Sequence, residues 1–151
     1  PFCELLCYGL MPNHFHLMVS VNNDLDTNNI NALNNAIGTL LRSYTRAINI
    51  QQNRNGSLFQ QKTKAKELID KSNNTTINYI SICGHYIHQN PLRAKLVGDL
   101  ESWKFSSYLD YAGLRNGSLC NQELFFELTG IRKEEFVKES KAMIPKNILE
   151  I

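Results

Sequence analysis

Two short apolar runs at the start of the chain place the strongest limit on its fold. Residues 3–10 and 15–21 are each rich in apolar side chains and have the length of strands. The three residues between the runs, 11–13, read Met-Pro-Asn. They fit either a turn between two strands or a bulge within one long strand, and Pro12 suits a sheet edge in both cases. The chain therefore starts with β structure.

Helical patterns dominate the remainder of the chain. Apolar residues recur at spacings of three and four over residues 30–48, which predicts an amphipathic helix. A second helix is predicted over residues 76–89, ending before Pro91 because the residue before a proline disfavours helical geometry. Residues 58–67 resemble a strand, and residues 121–142 resemble one or two short helices. No internal repeat is present, so one domain is the economical interpretation.

Composition and charge indicate a globular cytoplasmic protein. Of the 151 residues, 42% are hydrophobic and 20% charged, which is typical of a folded domain. The net charge of +2 is too small to predict nucleic-acid binding by itself. The four cysteines form no CxxC pair, which argues against a zinc ribbon, and such thiols fit a reducing compartment. No apolar run approaches the ~20 residues that span a bilayer, so we expect no membrane partner.

His14 and His16 form the most specific local pattern. Residues two apart on a strand point to the same face, so both imidazoles would converge on one place. Neutral imidazole is the commonest metal ligand in proteins. The spacing alone still favours a pair of surface or hydrogen-bonded histidines over a metal site.

Tyr86 and Asn90 lie one turn apart near the end of the second predicted helix. If the helix reaches Asn90, a phenol and an amide oxygen are presented on one face. The helix alone favours a simpler interpretation, in which Tyr86 is a half-buried packing residue and Asn90 a helix-end cap.

Three lysines, Lys62, Lys64 and Lys66, alternate along the predicted strand at residues 58–67. On a strand they would share one face at intervals of ~6.6–6.8 Å and could follow a phosphate backbone. Arg93 is among the other basic residues that could widen this patch. Charge runs of this kind are more often solvated faces.

An aromatic cluster follows the second predicted helix, at Trp103, Phe105 and Tyr108. Such rings stack on unpaired bases in proteins that bind single strands. Closely spaced aromatic residues more often pack in a core, and the sequence favours that interpretation here.

Four segments resemble, in the same order, the motifs of one protein family. Residues 8–18 closely resemble the HUH motif of single-tyrosine transposases, in particular the REP-associated tyrosine transposases. Residues 86–94 resemble the Tyr-Ile-His-x-Asn-Pro motif of that family's nucleophile helix. Residues 103–108 and 56–60 resemble two further motifs. Four motifs in one order are a stronger signal than any one of them alone.

The resemblance implies a fold class. It is α+β, with an antiparallel sheet and helices packed on one face, which is the ferredoxin-like layout of the family. Residues 1–114 would form the transposase domain, and residues 115–151 a variable C-terminal helical tail of the same domain. Relatives usually have another strand and helix before the HUH strand, and this sequence starts without them. Either the sheet lacks one strand or the sequence is a fragment.

The resemblance also implies a site and a reaction. His14, His16 and Asn90 would bind a divalent ion, Mg²⁺ or Mn²⁺, and Tyr86 would be the nucleophile. Its oxygen would attack a phosphodiester of hairpin-forming single-stranded DNA, giving a 5′-phosphotyrosine and a free 3′-hydroxyl. A second strand end could reverse the reaction and be joined. The residues predicted to contact the DNA are Lys62, Lys64, Lys66 and Arg93.

Several alternatives stay open at this point. A phenol is a weak acid, so Tyr86 needs help to lose its proton, from the metal or from His85 or His88. The protein could act as a monomer or a homodimer. It could also be a catalytically inactive module of the same fold that binds single-stranded DNA, or a metal-dependent hydrolase of small phosphoesters. Formation of a covalent DNA adduct distinguishes the transposase from both.

Overall fold

A computed structural model describes residues 3–21, 27–59, 64–68 and 76–145 of the chain. Within these residues the chain forms two strands and five helices, namely β1 (Cys3–Leu10), β2 (Phe15–Val21), α1 (Thr27–Gln51), α2 (Thr76–Arg93), α3 (Tyr108–Tyr111), α4 (Gln122–Thr129) and α5 (Phe136–Ser140). The predicted α+β class is therefore confirmed.

Strands β1 and β2 form an antiparallel hairpin, which confirms both predicted strands. The residues between them form a turn and not a bulge, since the Met11 N–H donates to the His14 carbonyl at 2.9 Å. The register pairs Gly9 with His16 and Leu10 with Phe15. Residues directly opposite each other share a face of the sheet, so His16 lies on the same face as Gly9.

Helix α2 continues through Pro91 to Arg93, so the predicted end before Pro91 was wrong. A proline cannot donate to the carbonyl four residues earlier, which here belongs to Ile87. That carbonyl lies against Gly9 of β1, where a Cβ would be only 2.8 Å from the oxygen. The helical bonds then resume, because Ala94 N–H donates to the Asn90 carbonyl at 2.9 Å.

The strand predicted at residues 58–67 is absent from the described part of that range. Residues 64–68 have no regular structure, and residues 60–63 lie outside the described residues. Lys66 instead donates to the Tyr79 hydroxyl of α2 at 2.9 Å, with its ammonium 5.1 Å from the ring centroid. Alternating lysines have the two-residue period of a strand, but they provide no apolar face to bury. The pattern therefore predicted a strand that residues 64–68 do not form.

The hydrophobic core forms where β1, α2 and the C-terminal helices meet. Leu6 and Cys7 of β1 and Ile87 of α2 pack with Phe125 of α4 and Phe136 of α5, and both phenylalanines are fully buried. The segment after residue 114 thus shares one core with the hairpin. Its two short helices agree with the prediction over residues 121–142.

Helix α1 is longer than predicted and joins the hairpin through aromatic contacts. The Phe59 ring lies 5.5 Å from Phe15 of β2 and 5.9 Å from Tyr44 of α1. Although α1 has 25 residues, none of the helices in the described ranges is long and apolar enough to cross a membrane.

Arg115 joins the segment around α3 to β1. Its guanidinium bonds to the Asp110 carboxylate at 2.6 and 2.7 Å, to the Ser106 carbonyl at 2.7 Å and to the Tyr8 hydroxyl at 3.0 Å. The hydrogen bond from Arg115 holds the pKa of Asp110 below its usual range. Asp110 is buried, so its negative charge is stable there because it is bound by Arg115.

We predict that Asp110→Asn lowers the free energy of unfolding by about 1–3 kcal/mol near neutral pH, because a buried charged hydrogen bond is lost. A lowered pKa stabilises the fold above the ordinary carboxyl pKa, and this contribution disappears as the pH falls through the lowered value. Urea unfolding of both proteins between about pH 7 and about pH 3 should therefore show a difference that shrinks towards acid. A difference that does not change with pH would contradict the role of the charge.

Candidate metal and nucleophile site

The turn of the hairpin presents the two predicted metal ligands together. His14 is the last residue before β2 and His16 is the second residue of the strand. Their ring centroids lie 5.2 Å apart with the planes at 87°. The Asn13 Oδ1 lies 2.7 Å from His14 Nδ1. A hydrogen bond there fixes the tautomer and leaves Nε2 of His14 as the nitrogen for a metal.

The surroundings of His16 favour the form of imidazole that binds a metal. Burial lowers its pKa, and the nearby His14 lowers it further. Only a neutral imidazole can donate a nitrogen lone pair to a cation. His16 is thus kept in its neutral form close to neutral pH.

Helix α2 places Tyr86 beside this histidine pair. The Tyr86 and His16 ring centroids lie 6.0 Å apart, with the planes at 78°. The position follows from the packing of α2 on β1, because Tyr86 precedes Ile87, whose carbonyl lies on Gly9. Gly9 in turn is the partner of His16 in the hairpin. Two motifs distant in sequence therefore converge at one place.

Asn90 lies one turn after Tyr86 and is largely buried. Its Nδ2 donates to the Tyr86 carbonyl at 3.1 Å. With the nitrogen bound to the helix backbone, Oδ1 is the side-chain atom that could bind a cation. The described contacts join Asn90 to Tyr86 and not directly to the histidines.

Arg93, predicted as a DNA contact, lies beside Tyr86. Its Cζ is 5.2 Å from the Tyr86 ring centroid, which is a cation–π arrangement. Its Nη1 donates to the Ile144 carbonyl at 2.6 Å. Arg93 therefore fixes the orientation of the Tyr86 ring from one side and is itself held by the C-terminal segment.

The three predicted lysines do not form the expected stripe. Lys62 lies outside the described residues, and Lys64 and Lys66 are exposed in a segment that is not a strand. The contact of Lys66 with Tyr79 nevertheless gives it a defined place. Tyr79 and Tyr86 are seven residues apart, so the contact of Lys66 lies two turns before Tyr86 on the same side of α2.

His85 and His88 occupy another side of α2 and belong to the core. His85 Nδ1 lies 3.0 Å from the Ser140 hydroxyl, and His88 Nε2 lies 2.8 Å from the Ser107 hydroxyl. Complete burial lowers the pKa of His88 to about 3. Helical geometry turns both rings away from Tyr86. We therefore do not assign either histidine as the base for Tyr86.

Gln89 is a residue of this region that the sequence did not reveal. It is fully buried, and its Nε2 donates to the carbonyls of Ser140 at 2.9 Å and Ala142 at 2.8 Å. The Ile144 N–H donates to its Oε1 at 3.1 Å. Its partners are backbone groups, which leave no signal in a sequence. Residues 140–144 are thus hydrogen-bonded to α2 through Gln89.

The candidate donors are the two imidazoles and, one helical turn after Tyr86, one amide. In the described ranges, no three or more His, Cys, Asp or Glu side chains gather as a metal site. Comparison of the chain with protein-family models, with curated proteins and with solved structures finds no match. The assignment of a function therefore depends on the motifs and on the geometry described above.

We predict that Gly9→Ala destabilises the protein by about 1–3 kcal/mol, the usual effect of overpacking. The added methyl group would meet the Ile87 carbonyl at 2.8 Å, which forces α2 away from the hairpin. Gly98→Ala is the matched control, since no atom lies within 4 Å of a Cβ there. The free energies of unfolding in urea should separate the two variants. Equal stability of both would show that the close approach at Gly9 is unimportant.

Proposed function

We propose that the protein is a metal-dependent, single-stranded DNA endonuclease and transposase, which cleaves and rejoins DNA through a 5′-phosphotyrosine intermediate. The observation that supports this best is the convergence of His14, His16 and Tyr86, with ring centroids 5.2 and 6.0 Å apart. These are the residues that the resemblance to REP-associated tyrosine transposases implies. The ferredoxin-like layout of that family is part of the proposal.

The donor chemistry fits a divalent metal ion. His14 and His16 would supply imidazole nitrogens and Asn90 would supply Oδ1. Mg²⁺ prefers oxygen ligands, whereas a transition metal ion such as Mn²⁺ accepts nitrogen more readily. Once bound, the ion would polarise the scissile phosphate and offset the negative charge that develops there.

Tyr86 would carry the covalent step. Its phenolic oxygen forms a bond to phosphorus as the bond from phosphorus to the 3′-oxygen breaks. The proton lost by the phenol is balanced by the one that the leaving 3′-oxygen gains. The number of phosphoester bonds is unchanged, so attack by a 3′-hydroxyl of another strand end reverses the step and joins the DNA. Arg93 orients the ring during this exchange.

Basic side chains along α2 favour a DNA backbone as the ligand. Lys66 contacts α2 at Tyr79, and Arg93 lies over the ring of Tyr86. These two contact points are two helical turns apart. At 1.5 Å per residue these contacts are separated by ~10.5 Å. Lys64 is exposed two residues before Lys66 in the chain. Phosphates near a scissile bond would meet positive charge at Tyr86 and again two helical turns before it.

The described cysteines are compatible with a reducing compartment. Cys7, Cys83 and Cys120 are buried without disulfide partners. Buried thiols of this kind behave as small apolar residues. We place the activity in the cytoplasm, where such thiols stay reduced and DNA is accessible.

We predict that the protein forms a denaturation-resistant adduct with hairpin-bearing single-stranded DNA in Mn²⁺. Tyr86→Phe should abolish the adduct, because it removes the oxygen that bonds to phosphorus. His14→Ala should lower it about a hundredfold or more, because a metal ligand is lost. Electrophoresis under denaturing conditions measures both effects.

Two controls make this experiment decisive. Tyr44→Phe removes a half-exposed hydroxyl from α1 and should leave the adduct unchanged. A label at the 3′ end of the DNA should travel with the protein, whereas a label at the 5′ end should leave on a fragment with a 3′-hydroxyl. DNA binding without any adduct across a broad oligonucleotide pool would favour the inactive binding module instead.

We also predict that Lys64→Ala weakens binding of single-stranded DNA several-fold. Loss of one phosphate contact should lower the slope of log affinity against log salt by about 0.7. Fluorescence anisotropy at several salt concentrations measures the slope, with Lys133→Ala, at an exposed lysine between α4 and α5, as the control. If Lys64→Ala instead abolished cleavage at saturating DNA, Lys64 would not be a simple backbone contact.

A further inference from the structure

Two aromatic rings lie at the surface beside the hairpin. The Phe105 side chain is 61% exposed, and its ring lies 5.6 Å from that of Trp103, with the planes at 71°. Trp103 is half-buried. Tyr108, grouped with them in the sequence, is fully buried. The structure thus assigns Tyr108 to the core and leaves Trp103 and Phe105 at the surface, contrary to the core interpretation favoured by the sequence.

Backbone contacts hold this aromatic pair to β1. The Leu10 N–H donates to the Phe105 carbonyl at 2.9 Å. The Trp103 indole N–H donates to the Leu10 carbonyl at 3.0 Å. Ser106 forms a β-bridge with Gly9, which pairs on its other side with His16. The rings are therefore fixed to the same short piece of strand that positions the metal site.

The chemistry of the pair suits one kind of ligand. Lys104 lies between the two aromatic residues in the sequence and is exposed. Aromatic faces next to a positive charge are the combination that binds single-stranded nucleic acid, because bases stack on the rings while phosphates meet the cation. A paired duplex hides its base faces and would leave the rings uncovered.

We propose that Trp103 and Phe105 form a stacking platform for unpaired bases of the DNA strand on which the Tyr86 site acts. The inference rests on the function proposed above and adds how the protein distinguishes single-stranded from paired DNA. Every base has an aromatic face, so the platform selects unpaired bases with little regard to sequence.

The experiment uses the fact that Trp103 is the single tryptophan of the chain. Its fluorescence should be quenched by a short oligothymidylate, and much less by an abasic oligonucleotide of equal length with the same phosphates. Phe105→Ala should weaken oligothymidylate binding about five- to hundredfold. Leu114→Ala is the matched control, because Leu114 is also 61% exposed and should not matter. Phe105→Tyr should retain binding.

The outcomes separate this inference from the proposed function. If Phe105→Ala binds like the wild type, or if the abasic strand quenches equally, the platform is wrong, and adduct formation by Tyr86 still stands. If Phe105→Ala loses affinity while the wild type forms no adduct, the platform is supported and the strand-transfer activity is not. Failure of the wild type to bind any single strand would overturn both.

Discussion

The contact between the Ile87 carbonyl and Gly9 is the constraint on which the rest of the site depends. Pro91 leaves this carbonyl without its helical donor, and the missing side chain of Gly9 allows it to approach the hairpin. Any larger residue at position 9 would move α2 outward. Because Tyr86 precedes Ile87 and His16 pairs with Gly9, one backbone contact fixes the distance between the Tyr86 and His16 rings.

Helix α2 carries two groups of polar residues with different partners. Tyr86, Asn90 and Arg93 recur at four- and seven-residue intervals, with Asn90 and Arg93 in contact with Tyr86 and Tyr86 in contact with His16 of the hairpin. His88 and Gln89 are buried, with His88 Nε2 2.8 Å from the Ser107 hydroxyl and Gln89 Nε2 donating to the carbonyls of Ser140 and Ala142. The low pKa of His88 keeps it uncharged in this core. Polar residues that look equivalent in the sequence thus have different roles. His88 and Gln89 hold the helix in place by their contacts with neighbouring segments.

Periodicity predicted the parts of the fold that local chemistry determines. Both strands of the hairpin and the amphipathic character of α1 follow from the spacing of apolar residues. The end of α2 could not be predicted from the sequence. The Ile87 carbonyl has no helical donor because of Pro91, and it is accommodated by Gly9 on another element, β1. The pairing of His14 with His16 was accessible from their spacing, but their meeting with Tyr86 needed the tertiary fold. The partners of Gln89 and Trp103 are backbone groups, which no sequence pattern reveals.

A comparison with His85 and His88 of the same chain bears on whether His14 and His16 are structural. Structural histidines in this protein are buried, as His85 and His88 are, with ring nitrogens facing serine hydroxyls and rings packed on aromatic residues. His14 and His16 are half-exposed at the end of a turn, and Phe15 between them makes the packing contact instead. A half-exposed pair of this kind contributes little to the core. Its convergence on Tyr86 supports the metal site that we propose.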